Sequence, residues 1–152
     1  MVILGQKKIK SESDRIFYRE FKSIFGFYPK NLRLYKSAFT HKSASTQLPS
    51  GQLVNNERLE YLGDAIIDAI VADFLFVKYP DQRECFLTKM RAKIVSRAHL
   101  NRLSVQIGLQ RLVVSQTNSS AQRHIFGDAL EALIGAIYLD RLRWKQPTPT
   151  VL

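Results

Sequence analysis

Cysteine is nearly absent from this chain, with Cys85 the single one in 152 residues. No internal disulfide is possible, and this usage fits a reducing cytoplasm. Histidine occurs three times, and neither His41, His99 nor His124 stands three residues after an acid. That spacing argues against the Glu-x-x-His pairs of a di-iron carboxylate bundle. No apolar run approaches the length needed to cross a bilayer, so no membrane partner is expected. The apolar stretch Met1-Val2-Ile3-Leu4 is also far too short for the core of a signal peptide. Acids are scarce as well: 13 Asp and Glu stand against 23 Lys and Arg, a net charge of +10. An excess this large can be ordinary solubilising charge on any one side chain. Here, however, the few acids are concentrated, which points to a polyanionic partner gathered around an anionic metal site.

The concentration lies in two short clusters, Glu57-Arg58-Leu59-Glu60-Tyr61-Leu62-Gly63-Asp64 and Asp128-Ala129-Leu130-Glu131. On a helix advancing ~100° per residue, Glu57, Glu60, Asp64 and Asp68 fall within an arc of roughly 80°. Acids at this spacing usually form a solvated face. The same helix, though, carries Leu59, Leu62, Ile66, Ile67, Ile70, Phe74 and Phe76. Its second half is apolar nearly all round, which predicts a central, buried helix with its acids lining a cleft. Asp128 and Glu131 share a face of a second apolar helix. Gly63, Gly127 and Gly135 stand where helix formers are expected, each at a cost of roughly 1 kcal/mol relative to Ala, so close helix–helix approach is the compensation. Carboxylates are costly to bury unless a cation sits among them. A hard divalent ion with oxygen ligands, Mg²⁺ or Mn²⁺, is the natural neutraliser.

The remaining signals are helical. An amphipathic helix is predicted over about Asp14–Phe25, ending at Gly26, and a shorter one over Leu32–Phe39. Ala44–Asn55 is polar, contains Pro49 and Gly51, and reads as a loop. Asn55 or Asn56 can cap the long helix that starts at Glu57, and Tyr79-Pro80 stops it. Helices follow at about Phe86–Ser96 and Arg97–Ile107. Leu109–Ser115 reads as irregular, Thr117–Gln122 as a polar loop, and a last helix runs to about Asp140. With 45% apolar residues and no repeat, the chain predicts one all-α domain with two central packed helices carrying the acids.

These residues resemble the ribonuclease III family. Asn56-Glu57-Arg58-Leu59-Glu60-Tyr61-Leu62-Gly63-Asp64-Ala65 is similar to its signature motif. Ser37-Ala38-Phe39-Thr40-His41-Lys42-Ser43, Leu87-Thr88-Lys89-Met90-Arg91-Ala92 and Gly127-Asp128-Ala129-Leu130-Glu131-Ala132-Leu133 agree in order and spacing. The similarity covers roughly residues 11–140. It implies the nuclease domain's helical fold, a homodimer, and cleavage of double-stranded RNA with Mg²⁺, Mn²⁺ substituting, and no organic cofactor. By resemblance, Asp64 and Glu131 match the active-site pair, and Glu60, Asp128 and Glu131 the metal ligands. Glu57 and Glu84 match further acids lining the cleft. Tyr61 matches an aromatic that inserts into a pocket on the partner subunit, against the plain alternative of a core tyrosine. His41 is expected to be structural, and Cys85 to be a tolerated substitution.

Carboxylates hold divalent ions while leaving positions open for water and phosphate. The family's products carry 5′ phosphates and short 3′ overhangs. Duplex RNA is read through shape, phosphates and 2′ hydroxyls, so Lys42, Lys89, Arg91, Lys93 and Arg97 are the candidate contacts. For each, a solvated surface charge is the competing reading. Two other functions fit parts of the pattern: a non-catalytic relative that binds structured RNA, and an all-α nucleoside triphosphate pyrophosphohydrolase. The intact acids speak against the first, and the basic balance with Thr-His-Lys-Ser against the second. Residues 141–152, with Pro147 and Pro149, cannot continue a helix interior and read as an atypical tail. No double-stranded-RNA-binding domain is expected in this chain.

Overall fold

Ser11 caps the first helix by accepting the backbone N–H of Asp14, so the helix begins at Glu12, two residues before the start the apolar spacing suggests. The computed structural model describes residues 11–117 and 124–142. Helix α1 (Glu12–Phe25) ends at Gly26, whose φ of 74° is left-handed. Helix α2 (Leu32–Ala38) is capped by Asn31, which accepts the N–H of Leu34. Within the region read as a loop, two-residue strands β1 (Thr46–Gln47) and β2 (Leu53–Val54) pair antiparallel. This exposed hairpin and a single parallel bridge between Thr40 and Val114 are the β structure among the described residues. The domain is all-α, as its sequence predicts.

Helix α3 (Glu57–Lys78) is capped by Asn55, whose Oδ1 accepts the N–H of Glu57 at 3.0 Å. Asn56 is buried instead and donates its backbone N–H to the carbonyl of Thr40. Helices α4 (Glu84–Ile94) and α5 (Arg97–Ile107) follow, and Gly108 closes α5 with a φ of 93°. Helix α6 (Ile125–Ile137) continues into a π turn over Tyr138–Leu142. No helix among the described residues is long and apolar enough to cross a membrane.

Helix α6 occupies the centre, packed against α2, α3 and α5. Its Ala129, Ala132, Leu133 and Ala136 join Phe21, Tyr35, Phe39, Leu100 and Leu109 in the core. Rings meet edge to face there, Phe21 against Tyr35 at 4.9 Å between centroids. The contact with α3 is closest at the glycines: a Cβ on Gly135 would sit 2.4 Å from the carbonyl oxygen of Leu59. Small residues on both helices are therefore what sets the spacing between the two acidic segments.

Helix α3 departs from its predicted burial. Leu59, Gly63 and Leu75 are buried, but Ile70, Phe74, Phe76 and Val77 lie exposed, Phe76 at 72%. Among the described residues α6 and α4 make its main contacts, so an apolar sequence all round meets protein on two sides and leaves a third exposed. Asp140 is buried, and Arg141 lies over the Phe27 ring at 4.2 Å and donates to the carbonyl of Tyr28. Arg141 belongs to the folded body, because its guanidinium has an aromatic face and a carbonyl to meet. The rest of the expected tail, residues 143–152, falls outside the described residues.

Candidate active site

The first halves of α3 and α6 lie side by side, so acids spaced by a helical turn on each project into one open cavity of about 470 Å³. Glu57, Glu60 and Asp64 reach it from α3, and Asp128 and Glu131 from α6. Carboxylate oxygens of Glu60, Asp128 and Glu131 all lie within 4.8 Å of one another. Burial pushes the Glu131 carboxyl up to about 7, and the charges of Asp64, Glu60 and Asp128 add to the shift. Glu60 is raised by the same causes, burial first and Asp128 next. None of the ion pairs among the described residues involves these acids. Among the described residues the crowding has no direct counter-charge. An oxygen-only set at this spacing suits a hard divalent cation.

Two neighbours hold this arrangement in place. Helix α6 has no cap from its own N-terminal side chain, His124. Asn101 of α5 takes that role, its Oδ1 accepting the N–H of Gly127 at 3.3 Å. Nothing in the sequence marks Asn101, since the pairing joins residues of different helices. At the cavity itself, His41 Nδ1 accepts the N–H of Ser43 at 3.2 Å and lies 2.8 Å from its hydroxyl. The backbone N–H of His41 donates to the carbonyl of Val114. The histidine is thus a cap for the 3₁₀ turn Lys42–Ala44 as well as part of the cavity wall.

The other expected residues separate clearly. Tyr61 is 83% exposed at the cavity edge and is no core tyrosine within this chain. Lys42 and Arg97 line the cavity, whereas Lys89, Arg91 and Lys93 do not. Arg91 faces Asp68 at 3.9 Å, which removes that acid from the cluster. Glu84 also lies outside. It is exposed at the start of α4 and accepts the Thr88 hydroxyl at 2.7 Å, because α4 packs on α3 away from the acids. His99, His124 and Cys85 are exposed.

Fold and site together define an all-α domain whose carboxylate cluster is suited to a divalent cation. A family model described as "Ribonuclease-III-like" matches residues 31–143. Ribonuclease 3 of Bacteroides fragilis is 52% identical over 129 residues, covering 84% of this chain and 44% of that protein. Ribonuclease 3 of Staphylococcus aureus is 37% identical, covering 91% of this chain and 62% of its own length. Among solved structures, the nuclease domain of ribonuclease III from Campylobacter jejuni superposes with a TM-score of 0.69 at 32% identity, over 80% of this chain and 85% of that one. The chain belongs to the ribonuclease III family. It spans about half the length of these curated relatives.

Proposed function

We propose that this chain is an endoribonuclease that hydrolyses phosphodiester bonds of double-stranded RNA with Mg²⁺, leaving 5′-phosphate and 3′-hydroxyl ends. The observation that carries the reading is the convergence of Glu60, Asp128 and Glu131 within 4.8 Å in an open cavity of a basic protein. These three carboxylates would hold the cation. When bound, the ion supplies Lewis acidity at the phosphate and at water. Asp64 stands outside the trio but faces Glu131 closely enough to raise its pKa. It is placed to accept a hydrogen bond from water beside the phosphate, and its negative charge deepens the demand of the trio for a bound cation. Glu57, at the start of α3, adds charge that draws the cation inward.

The active form is a homodimer. In the C. jejuni nuclease domain a region is described as involved in dimer formation, and here α3 exposes Ile70, Phe74, Phe76 and Val77. Exposed apolar area of this kind marks an interface. A groove of about 350 Å³ between α3 and α4, lined by Leu75, Phe76 and Leu87, is the receptor we assign to the partner's Tyr61. A reducing cytoplasm, in keeping with the single cysteine, is the compartment we assign to it.

Incubating the purified chain with a long RNA duplex in Mg²⁺ tests the assignment. Cleavage to short duplexes with 5′ phosphates is expected, abolished by chelation and by Glu131→Gln. Equal cutting by wild type and that variant rules the assignment out.

A further inference from the structure

Five basic residues were candidate RNA contacts, and the fold sorts them into two sets. Lys89, Arg91 and Lys93 lie on α4, outside the acidic cavity. Lys42 and Arg97 come from different elements, a 3₁₀ turn and the first position of α5, and both line it. Each is placed by dedicated contacts. Lys42 follows His41, which is tied to Val114 and caps the turn through Ser43. The same turn is pinned again where the N–H of Gln116 donates to Ser43 Oγ at 3.0 Å. Arg97 starts α5, whose first turns abut α6 at Gly127; a Cβ on that glycine would lie 3.4 Å from the Asn101 nitrogen and 3.7 Å from the Arg97 carbonyl oxygen. The next residue on α6 is Asp128, so Arg97 stands beside the carboxylate trio.

Both cations face a crowded set of acids, yet neither forms an ion pair with any of them. Their charges do act across the cavity, Lys42 lowering the Glu60 pKa and Arg97 those of both Glu60 and Glu131. Long basic side chains held near acids but not neutralising them are suited to a second anion. The substrate backbone brings such anions on either side of the bond being cut. A guanidinium takes two phosphate oxygens at once, and an ammonium binds as a point charge.

We propose that Lys42 and Arg97 form a phosphate clamp of the cleavage site, binding backbone phosphates adjacent to the scissile one and seating it over the Glu60, Asp128 and Glu131 trio. The proposal rests on the endoribonuclease reading above. The clamp orients the strand without entering bond breaking. Loss of either residue therefore weakens substrate capture more than turnover of bound substrate.

The test compares wild type, Lys42→Gln, Arg97→Gln, Arg97→Lys and Arg15→Gln, an exposed α1 arginine outside the cavity. Cleavage of an RNA duplex in Mg²⁺ is measured across salt concentrations, with thermal melting to check folding. Lys42→Gln and Arg97→Gln are expected to raise KM by about tenfold with a smaller change in kcat. Each is expected to flatten the slope of log affinity against log salt by about one. Arg97→Lys restores part of the loss, whereas Arg15→Gln moves none of these quantities. If wild type cuts and both glutamine variants keep its KM and salt slope, the clamp is wrong and the nuclease assignment stands. If wild type neither binds nor cuts the duplex, the assignment fails and the clamp with it.

Discussion

A β-carbon placed on Gly63 would lie 1.7 Å from the carbonyl oxygen of Glu131. The contact is backbone against backbone, so no side chain can swing away to make room. It also lies within the acidic segments themselves, with Glu60 one turn before Gly63 on α3 and Glu131 on α6.

Gly63→Ala is therefore expected to destabilise the protein by about 3 kcal/mol, the upper part of the range for an overpacked interior. The helices must separate, and the carboxylate trio opens with them. Urea unfolding measures the first effect and Mg²⁺-dependent cleavage the second. A variant with wild-type stability overturns the packing account.

Glu131→Gln is expected to lower cleavage at least about 100-fold, since even residues that only support metal ligands act on that scale. The same substitution is expected to stabilise the protein without divalent ions at pH 8. With a folded pKa raised from 4.5 to about 7, the native state keeps a proton that the unfolded chain has lost. Stability from this group is full below about 4.5 and falls as the pH rises toward about 7. Melting curves at pH 4 and pH 8 in a chelator check it. The variant gains only at the higher pH, and added Mg²⁺ narrows the difference. A wild type that becomes more stable across that window relative to Glu131→Gln contradicts the crowding.

Phe76→Glu is expected to convert a dimer into a monomer. The side chain is exposed in the single chain, so the charge costs little there and is buried unpaired only on association. Sedimentation analysis decides it: an unchanged mass for the variant removes this face from the interface.

Asp140→Ala is expected to cost about 2–3 kcal/mol. The carboxylate accepts the N–H of Lys30 at 3.1 Å, the N–H of Asn31 at 3.0 Å and the buried hydroxyl of Tyr35 at 3.0 Å. It joins the end of the last helix to the start of α2. Removing it leaves the Tyr35 hydroxyl in the core without its acceptor. Chemical denaturation tests this, and a loss below about 0.5 kcal/mol places the anchoring elsewhere.

The sequence by itself determined the helices, the two acidic clusters and the glycines that let them meet. Those signals are local, because apolar spacing, capping residues and one-turn acid repeats are all written within about a dozen neighbours. Partnerships between distant segments were decided only by tertiary structure. The clusters are legible in sequence, but which acids converge is not: Asp68 turns to Arg91, and Glu84 to Thr88. Likewise Lys42 and Arg97 look no different from Lys89 or Lys93 until the turn at His41 and the start of α5 are set against α6. An all-apolar second half of α3 predicts burial without naming what buries it. The packing of this one chain leaves that face open, since hydrophobic pattern records the need for a neighbour and not its identity.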